Sequence, residues 1–485
     1  MRSKNIYILF LMVWSLGMVA CKNWDDRLVS PSESLGKNLF EQISTQGNLS
    51  TFKDLLIKTG YDKVLSSSTN YTVFAPSNDA LNGLSTTILN DTAQLKAFVG
   101  NHIALMSHNV PVSDGASESL QMINGKYYPL SKTTLGGAPI ASANAFASNG
   151  VLHTLSQSIT VLPSLWKYIS TNQTGSAQNT AMANLTFQVF NASKATIDSI
   201  SATTGQPIYR PGTGFETVNA FTQNVYDLNL ETKQYTYFQL KDASFLAEIE
   251  KLKPYFKTST TDSTYRQSAF ATIKDLVFEG NYTIDQIPAV LKSKFGVNVT
   301  IDKSSISQTV KVSNGVVYVL DKITVIPTEK FPTLVVEGEN YVERMPVSIG
   351  SAVIAVRNRL NPVTNLTSNS VSVIGHGNAG FWLRYQLNDV PSIKYKVYWV
   401  VINDLYSTNT AVAEAATFNI NQKLAMASLS ATTFAYPAAA LPVKTYTEQL
   451  LGEYTVNSFG KLNMYLVANG TNAMSLDYIK LVPSF

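Results

Sequence analysis

The feature that most constrains this chain is an internal repeat of a strand-forming pattern. Asn149-Gly150 precedes alternating apolar residues and then Pro163, and Asn314-Gly315 precedes a similar segment that ends at Pro327. Asn-Gly indicates a turn, the alternation predicts a strand, and the proline ends the unit. Because the same features recur in the same order, we predict that one domain is present twice.

Three further pairs of segments support a duplication: Tyr71-Thr72-Val73-Phe74 with Tyr235-Thr236-Tyr237-Phe238, Phe98–His102 with Phe278–Tyr282, and an opening helix at Leu39 with another at Leu165. Helix signals and strand signals mix within each copy, so we expect two mixed α/β (α+β) domains over residues 34–164 and 165–328. The second copy carries extra residues, roughly from Asn172 to Asn229, which we expect to form additional strands and loops.

After Pro332 the pattern changes to short strands separated by turn residues. Alternation along the segment from Lys394 to Ile402 places Tyr395 and Trp399 on one face, which we expect to be core. Regular short strands over such a length are typical of a β-sandwich or jelly roll. The chain is therefore predicted to be multidomain, with an all-β jelly-roll sandwich over residues 331–485.

The first residues carry an export pattern. An apolar run from Ile6 to Ala20 follows Arg2 and Lys4, which suits a secretory signal and is short for a membrane span. The run leads to Cys21, the one cysteine of the chain, as in lipoprotein processing. We predict a signal peptide over residues 1–20 and, over residues 21–33, a tether that is acylated at Cys21; an incidental cysteine after an ordinary signal is the alternative.

The residues after Cys21 bear on localisation. Lys22-Asn23-Trp24-Asp25-Asp26 resembles the short acidic signal with which some Gram-negative bacteria display lipoproteins outward. That resemblance implies a protein anchored in the outer membrane and displayed on the cell surface, while the alternative is a solvated tether.

Composition argues against several classes of protein. Charged residues are 14% of the chain, the net charge is +4 and Lys and Arg are not clustered, so no nucleic-acid-binding surface is indicated. One cysteine gives neither a disulfide framework nor a thiolate metal site. The four histidines form no catalytic motif, and we predict that the protein is not an enzyme.

Two segments of the first copy, Thr72–Ala80 and Asn149–His153, resemble the signature segments of the fasciclin family. The resemblance implies a compact mixed α/β domain associated with adhesion and with extracellular-matrix or glycan contact. It makes His102 and His153 candidate binding residues, although structural hydrogen bonding is the stronger alternative for both. The second copy is degenerate, with Tyr282 and Tyr318 where the histidines are expected.

The third domain resembles the galactose-binding-like sandwiches used as carbohydrate-binding modules, through Val335–Glu339 and Leu476–Ile479. The resemblance implies that Glu337, Glu339 and Asp477 could hold a structural Ca²⁺, a cation that prefers carboxylate oxygens; a solvated strand edge is the alternative. Exposed aromatic rings suit sugar faces, which makes Trp382 a candidate binding residue. Gly375-His376-Gly377-Asn378 is predicted to be an exposed loop with His376 as a further candidate.

These observations favour a surface-anchored adhesion or binding lipoprotein that contacts glycan or an extracellular protein, with an accessory role in a polysaccharide-uptake system as one form of this function. The alternatives are a carbohydrate-active hydrolase and a structural envelope spacer. Among the modules, we expect residues 331–485 to bind glycan and residues 165–330 to act as a spacer.

Overall fold

The computed structural model describes residues 35–346, 352–361, 363–402, 420–430 and 446–485. The predicted signal peptide, the acidic segment and Cys21 lie outside these residues. Residue contacts divide the chain into two compact units. The first runs to Trp166 and includes Asn229–Gln234 and Lys311–Gly315; the second contains Lys167–Leu228, Tyr235–Val310 and Val316–Phe485. In the described part of the chain, no helix is both long enough and apolar enough to span a membrane.

The first repeat combines short helices with one sheet. Its helices are α1 (Leu39–Ser44), α2 (Ser50–Thr59), α3 (Tyr61–Leu65), α4 (Asn78–Leu81), α5 (Thr86–Asn90) and α6 (Thr92–Gly100), with a 3-10 turn at Gly47–Leu49. Its strands are β1 (Tyr71–Pro76), β2 (Ile103–Leu105), β3 (Ser117–Gln121), β4 (Tyr127–Ser131), β5 (Thr134–Leu135), β6 (Ala138–Ala147) and β7 (Gly150–Leu155). The strand order is β2-β1-β7-β6-β5-β4-β3, and β1 runs parallel to β7.

Local sequence explains these elements. Helix α2 buries Phe52, Leu55 and Leu56 on one face, and it ends at Thr59 before Gly60, whose φ of 76° favours glycine. All six residues of β7 are buried, which is expected of a strand at the centre of a covered sheet. Apolar side chains from the helices, β1 and β7 form one core cluster, and Phe74 and Leu155 belong to a second.

The Asn-Gly turn joins distant parts of the first repeat. Asn149 accepts a hydrogen bond from the Leu39 N–H (2.8 Å) and donates from Nδ2 to the carbonyls of Leu65 (2.8 Å) and Ser67 (2.6 Å). Gly150 has a φ of 149°, and a Cβ there would lie 1.9 Å from the Tyr71 carbonyl oxygen. The turn therefore requires both its asparagine and its glycine.

The second repeat contains the same central sheet with additional elements. Its helices are α7 (Leu165–Thr171), α8 (Ala177–Ala183), α9 (Ala220–Asn224), α10 (Asp242–Leu252) and α11 (Thr261–Ile273), with 3-10 turns at Ala192–Lys194, Lys253–Tyr255, Lys303–Ser305 and Pro327–Lys330. Its strands are β8 (Thr186–Phe190), β9 (Ile197–Ile200), β10 (Pro207–Tyr209), β11 (Phe215–Asn219), β12 (Tyr235–Leu240), β13 (Val277–Glu279), β14 (Leu291–Lys292), β15 (Asn298–Ile301), β16 (Ile306–Val312), β17 (Gly315–Leu320) and β18 (Ile323–Val325).

The strand order β13-β12-β17-β16 repeats the order β2-β1-β7-β6 of the first repeat. Asn314 also repeats the role of Asn149, because its Oδ1 accepts from the Leu165 N–H at 2.7 Å. The predicted pairing of the opening helices, of the Tyr-Thr strands and of the Asn-Gly turns is thus confirmed. Within the predicted insertion, β8 pairs with β11 and β9 with β10, and we call residues 186–219 the arm.

One pairing of segments from the sequence is wrong. The Phe74 N–H bonds to the His102 carbonyl (2.8 Å), and the equivalent Phe238 N–H bonds to the Leu276 carbonyl (2.9 Å). The counterpart of His102 is therefore Leu276, and not Tyr282 as the sequence suggests. The register is set by these backbone bonds, whereas the shared Gly-Asn residues of the two segments only resemble each other by chance.

Residues after the second repeat form two larger sheets and a smaller one. The strands are β19 (Leu334–Glu337), β20 (Glu343–Arg344), β21 (Val353–Asn361), β22 (Leu366–Ile374), β23 (Trp382–Val390), β24 (Lys394–Val400), β25 (Gln422–Met426), β26 (Gln449–Thr455), β27 (Gly460–Ala468), β28 (Met474–Leu476) and β29 (Tyr478–Ser484). The sheet orders are β19-β29-β24-β26, β20-β23-β27-β25 and β21-β22-β28. Tyr395, Val397, Trp399 and Val401 are each at most 1% exposed, which confirms the predicted core face.

The second repeat and the sandwich share one hydrophobic cluster. Phe256, which follows the 3-10 turn Lys253–Tyr255, contacts Phe331 and Phe459, with ring centroids 5.8 Å and 5.3 Å away. Backbone bonds add to this contact, because the Ser392 N–H donates to the Tyr255 carbonyl at 2.8 Å. We call these rings, together with Phe485, the aromatic junction. The second unit is therefore one packed body, and not two domains on a free linker.

Candidate functional site

His102 lies in the core of the first repeat and is fully buried. Its Nδ1–H donates to the Phe98 carbonyl at 2.9 Å, and its Nε2 accepts from the Ile159 N–H at 3.0 Å, a pattern that fits the neutral ring. Burial lowers the pKa of His102 from 6.5 to about 4. Both ring nitrogens are used inside the protein, so the predicted binding role is not available to this side chain.

His153 is also buried and stacks on Phe74, with ring centroids 4.8 Å apart. Its Nδ1 accepts from the Asn144 N–H at 3.2 Å, and its Nε2 donates to the His108 carbonyl at 3.1 Å. Burial lowers its pKa as well. The structural alternative considered for His102 and His153 therefore accounts for both, and they lie on either side of Phe74 in the sheet.

The second repeat keeps one of these contacts with a different side chain. Tyr318 stacks on Phe238 at 5.8 Å, and its hydroxyl donates to the Tyr282 carbonyl at 2.8 Å, as His153 donates to the carbonyl of His108. Tyrosine thus preserves the stacking and the hydrogen bond, which is further evidence that this position has a framework role.

The outer face of the sheet β20-β23-β27-β25 carries a different set of residues. Along β23 and β27 the buried residues alternate with partly exposed ones, so the outward side chains are Trp382, Arg384, Gln386, Asn463 and Tyr465. We call these five residues the polar sheet face. The pairing Arg384↔Tyr465 and Gln386↔Asn463 places them side by side across the two strands.

Hydrogen bonds hold the polar sheet face in one arrangement. The Arg384 Nε donates to Glu343 at 2.7 Å, and its Nη1 donates to Gln386 Oε1 at 3.2 Å and to Asn463 Oδ1 at 3.1 Å. The Trp382 and Tyr465 rings meet edge to face, with centroids 5.7 Å apart. Planar polar groups with fixed orientation therefore lie beside two aromatic rings on an accessible sheet.

His376 is not on an exposed loop, contrary to the sequence expectation. It is fully buried, stacks on Phe381 at 5.0 Å, and has both ring nitrogens within 3.0 Å of the carbonyl oxygens of Asn378 and Asn472. The surrounding glycines allow the chain to fold back over the ring, with φ values of 63° at Gly375 and 64° at Gly377. His376 joins two loops, and its ring is not available to a ligand.

The three carboxyl groups predicted to hold calcium influence one another but do not form a complete cage. Burial, then Glu339 and Asp477, raises the pKa of Glu337, and burial and Glu339 raise the pKa of Asp477. Glu339 Oε2 and Asp477 Oδ1 are buried without a hydrogen-bond partner. Across the described ranges, however, no three His, Cys, Asp or Glu side chains are arranged to hold a metal ion. Of the three, Glu339 and Asp477 have buried oxygens without a partner, which a cation would satisfy.

Comparison with known proteins gives a family match in the first repeat. Residues 47–161 match the family model of the fasciclin domain, so this part of the chain is similar to that family. No curated protein matches the chain. Among solved structures, a fasciclin domain pair from the insect cell adhesion molecule Fasciclin I is similar at 14% identity, covering 58% of this chain and 98% of that one, with a TM-score of 0.23.

The sandwich region has its own structural neighbours. A carbohydrate-binding module of Cellvibrio mixtus lichenase 5A, solved with cellotriose, is similar at 17% identity, covering 31% of this chain and 98% of that one, with a TM-score of 0.21. A family 35 carbohydrate-binding module from Clostridium thermocellum is similar at 12% identity, covering 32% and 99%, with a TM-score of 0.21.

Sequence reasoning identified one residue of the polar sheet face and missed the others. Trp382 was a candidate, but Arg384 and Gln386, which follow it at alternate positions of the same predicted strand, were not. Their spacing is a usable signal, because residues two apart on a strand share a face. The contribution of Asn463 and Tyr465 depends on strand pairing over a long sequence distance, for which the sequence offers no local sign.

Proposed function

We propose that this protein is a surface-anchored adhesion lipoprotein whose sandwich binds glycan through the polar sheet face. The observation that carries the proposal is the arrangement of Arg384, Gln386 and Asn463, which are bonded to one another beside the Trp382 and Tyr465 rings. Aromatic rings pack against the apolar faces of sugars, and oriented amide and guanidinium groups can bond to their hydroxyls.

The rigidity of this face favours binding. A polar side chain that is already held by its neighbours loses little rotamer entropy when a ligand arrives, so more of the contact energy remains for affinity. The Arg384 side chain is fixed on three sides by Glu343, Gln386 and Asn463. A sheet face also exposes a long shallow surface, which suits a chain of sugar units better than a single small molecule.

In this proposal the two repeats present the sandwich and do not bind the glycan themselves. The second repeat would be a divergent fasciclin domain, since it keeps the strand order of the first repeat and the Asn-Gly turn whose Asn314 accepts from the Leu165 N–H. Its burial of Phe256 against Phe331 and Phe459 fixes the sandwich to it. His102 and His153 of the first repeat act as framework residues, because both are buried.

Membrane attachment through Cys21 completes the proposal and depends on the sequence alone. The apolar run from Ile6 to Ala20 before Cys21 supports export and acylation. In cells fed a labelled fatty acid, the Cys21→Ala variant should lose both the label and its membrane association. A variant that still carries the label would refute acylation at this residue. Protease treatment of intact cells tests display on the outside separately.

The glycan assignment is tested on the full chain, because a fragment that begins at residue 331 would expose the rings of the aromatic junction. A panel of soluble plant and host polysaccharides is titrated calorimetrically, and the best ligand is then measured with Trp382→Ala and Arg384→Met. We expect Arg384→Met to weaken binding by about tenfold or more, since one hydrogen bond to a charged group has this order of effect. Trp382→Ala should also weaken binding, because it removes a ring that packs against the sugar.

The matched control is Tyr398→Ala, on the outer face of the other sheet, where Lys480 lies 5.1 Å from the Tyr398 ring centroid. This substitution removes an accessible aromatic ring of the same sandwich and should leave the affinity unchanged. Equal losses from Tyr398→Ala and Trp382→Ala would contradict the assigned face. If the wild-type chain binds none of the polysaccharides, the alternative of an envelope spacer or a protein-binding adhesin is favoured.

The hydrolase alternative receives less support from this face. Glycosidases use two carboxyl groups on either side of the scissile bond, one of which must exchange a proton. The carboxylate that borders the polar sheet face, Glu343, is bonded to the Arg384 guanidinium. Glu343 thus orients the Arg384 guanidinium, as a preorganised binding face requires.

We also propose that Glu339 and Asp477 bind a structural Ca²⁺ with backbone carbonyls and water as further ligands. The support is the pair of buried carboxylate oxygens without partners, since a buried charge is costly unless a cation or a donor compensates it. Calcium accepts six to eight oxygen ligands in flexible geometry, so the two carboxylates would supply part of the set and backbone carbonyls and water the rest. When bound, the ion would offset the burial and the repulsion from Glu339 that raise the pKa of Asp477.

A further inference from the structure

A second concave site lies in the second unit, away from the polar sheet face. It is a cavity of about 630 Å³, which falls in the range of small-molecule sites. Three parts of the chain form its walls: Phe187 at the base of the arm, Arg266 and Phe270 on α11, and Phe459 from the sandwich. The cavity exists because the aromatic junction holds the second repeat and the sandwich together, and we call it the junction pocket.

Arg266 is the polar group best placed to recognise a ligand in the junction pocket. Its Nη2 donates to the Thr186 carbonyl at 2.8 Å, which holds the guanidinium at the base of the arm. Within the described part of the chain, its Nε and Nη1 have no hydrogen-bond acceptor and no carboxylate pairs with it. A fixed guanidinium with free donors is a geometry suited to carboxylate or sulfonate oxygens.

The other charged groups of the lining leave a positive excess. Lys330 is neutralised by Asp275, with which it forms a buried ion pair. Lys274 is half-buried, its Nζ lies 4.5 Å from the Phe295 ring centroid, and burial lowers its pKa. Against Arg266 and Lys274 stands one acidic lining residue, the exposed Asp389. The unneutralised charges therefore favour an anion.

The apolar lining defines the rest of the ligand. Phe187, Phe270 and Phe459 face the same cavity as Arg266, so a fully hydrated anion such as phosphate would leave these rings unused. We propose that the junction pocket binds a small organic anion, with a carboxylate or sulfonate held by Arg266 and an aromatic or branched apolar body packed against the phenylalanine rings. This site is independent of the proposed glycan-binding face.

The test uses two dyes that differ in charge. 1-Anilinonaphthalene-8-sulfonate carries the predicted combination of sulfonate and rings, and N-phenyl-1-naphthylamine has the same rings without the charge. Fluorescence titration of the folded full chain should give one saturable site for the anionic dye. Arg266→Gln should weaken its binding roughly tenfold and leave the neutral dye unchanged, while Arg266→Lys should retain part of the affinity.

Lys274→Met is a second variant that leaves the Arg266 contact to the arm intact, and it should also weaken only the anionic dye. Phe190→Ser is the control for dye bound elsewhere, because Phe190 is 46% exposed on the arm and is not part of the lining. The proposal is overturned if the anionic dye does not saturate, if neither charge variant weakens it, if both variants weaken the two dyes equally, or if Phe190→Ser abolishes the binding.

Discussion

The buried ion pair between Asp275 and Lys330 allows a sharp test of how the second unit is held together. The Asp275 side chain is fully buried and that of Lys330 is 5% exposed. The Lys330 Nζ also donates to the Ala271 carbonyl at 2.9 Å, and Asp275 accepts a second hydrogen bond from the Ser293 hydroxyl at 2.6 Å. Lys330 ends the turn that leads from the second repeat into the sandwich, so the pair fixes this connection.

Lys330→Met removes the cation and retains most of the side-chain length. Asp275 would keep only its bond to Ser293, and removing one partner of a buried pair costs about 3–5 kcal/mol. The double variant Lys330→Met, Asp275→Asn removes both charges and lets the amide oxygen accept from Ser293. We expect the double variant to recover most of the lost free energy of unfolding, because replacing a whole buried pair is often neutral.

The assay is urea unfolding followed by tryptophan fluorescence, in which the buried Trp399 reports on the second unit. The control is Lys194→Met, which breaks the exposed pair with Glu216, where Lys194 is 61% exposed; it should leave the free energy of unfolding almost unchanged. A loss below about 1 kcal/mol for Lys330→Met, or a double variant as unstable as the single one, would refute the reasoning.

Three further predictions concern other parts of the chain. As pH falls from 6.5 towards 4, His102 takes up a proton in the unfolded state but not in the folded state, so the free energy of unfolding of the first unit should fall by up to roughly 3 kcal/mol. In urea titrations over this range, the stability difference between wild type and His102→Gln should shrink. A constant difference would contradict this account. Millimolar Ca²⁺ should raise the melting temperature of the wild type but not of Asp477→Asn, and an equal rise in both would place the ion elsewhere. Gly150→Ala should cost the first unit more than about 3 kcal/mol, because its Cβ would meet the Tyr71 carbonyl at 1.9 Å. Gly47→Ala, where no atom lies within 4 Å, should be close to neutral in the same unfolding assay, and similar effects from the two glycine substitutions would contradict the steric argument.

The parts of the fold that the sequence predicted are those with a local cause. The strand after Asn149-Gly150 follows from a turn signal and alternation, and the core face containing Trp399 follows from alternation alone. The false match of His102 with Tyr282 shows the limit of this reasoning. The backbone hydrogen bond from the Phe238 N–H to the Leu276 carbonyl identifies the true counterpart of His102. This bond depends on strand register and not on residue type.

Candidate site residues were harder to predict because exposure is a tertiary property. His376 lies between glycines, which suggests an exposed loop, yet the loop folds over its ring and two carbonyls hold it. The polar sheet face was difficult to predict for a different reason. In the sequence, Arg384 and Gln386 cannot be distinguished from ordinary outward residues of a strand. Only the pairing of β23 with β27 brings them to Asn463 and shows that their orientation is fixed.

The position of β7 in the sheet also determines the order in which the first repeat can fold. β7 is the last strand of that sheet to be synthesised, yet it lies between β1 and β6, with Tyr71↔Gly150 pairing on one side. Before Gly150–Leu155 is available, the remaining strands can form only two separate pieces, β2-β1 and β6-β5-β4-β3. Pairing partners this far apart in sequence form slowly, so the sheet of the first repeat stays incomplete until residue 155 has been synthesised.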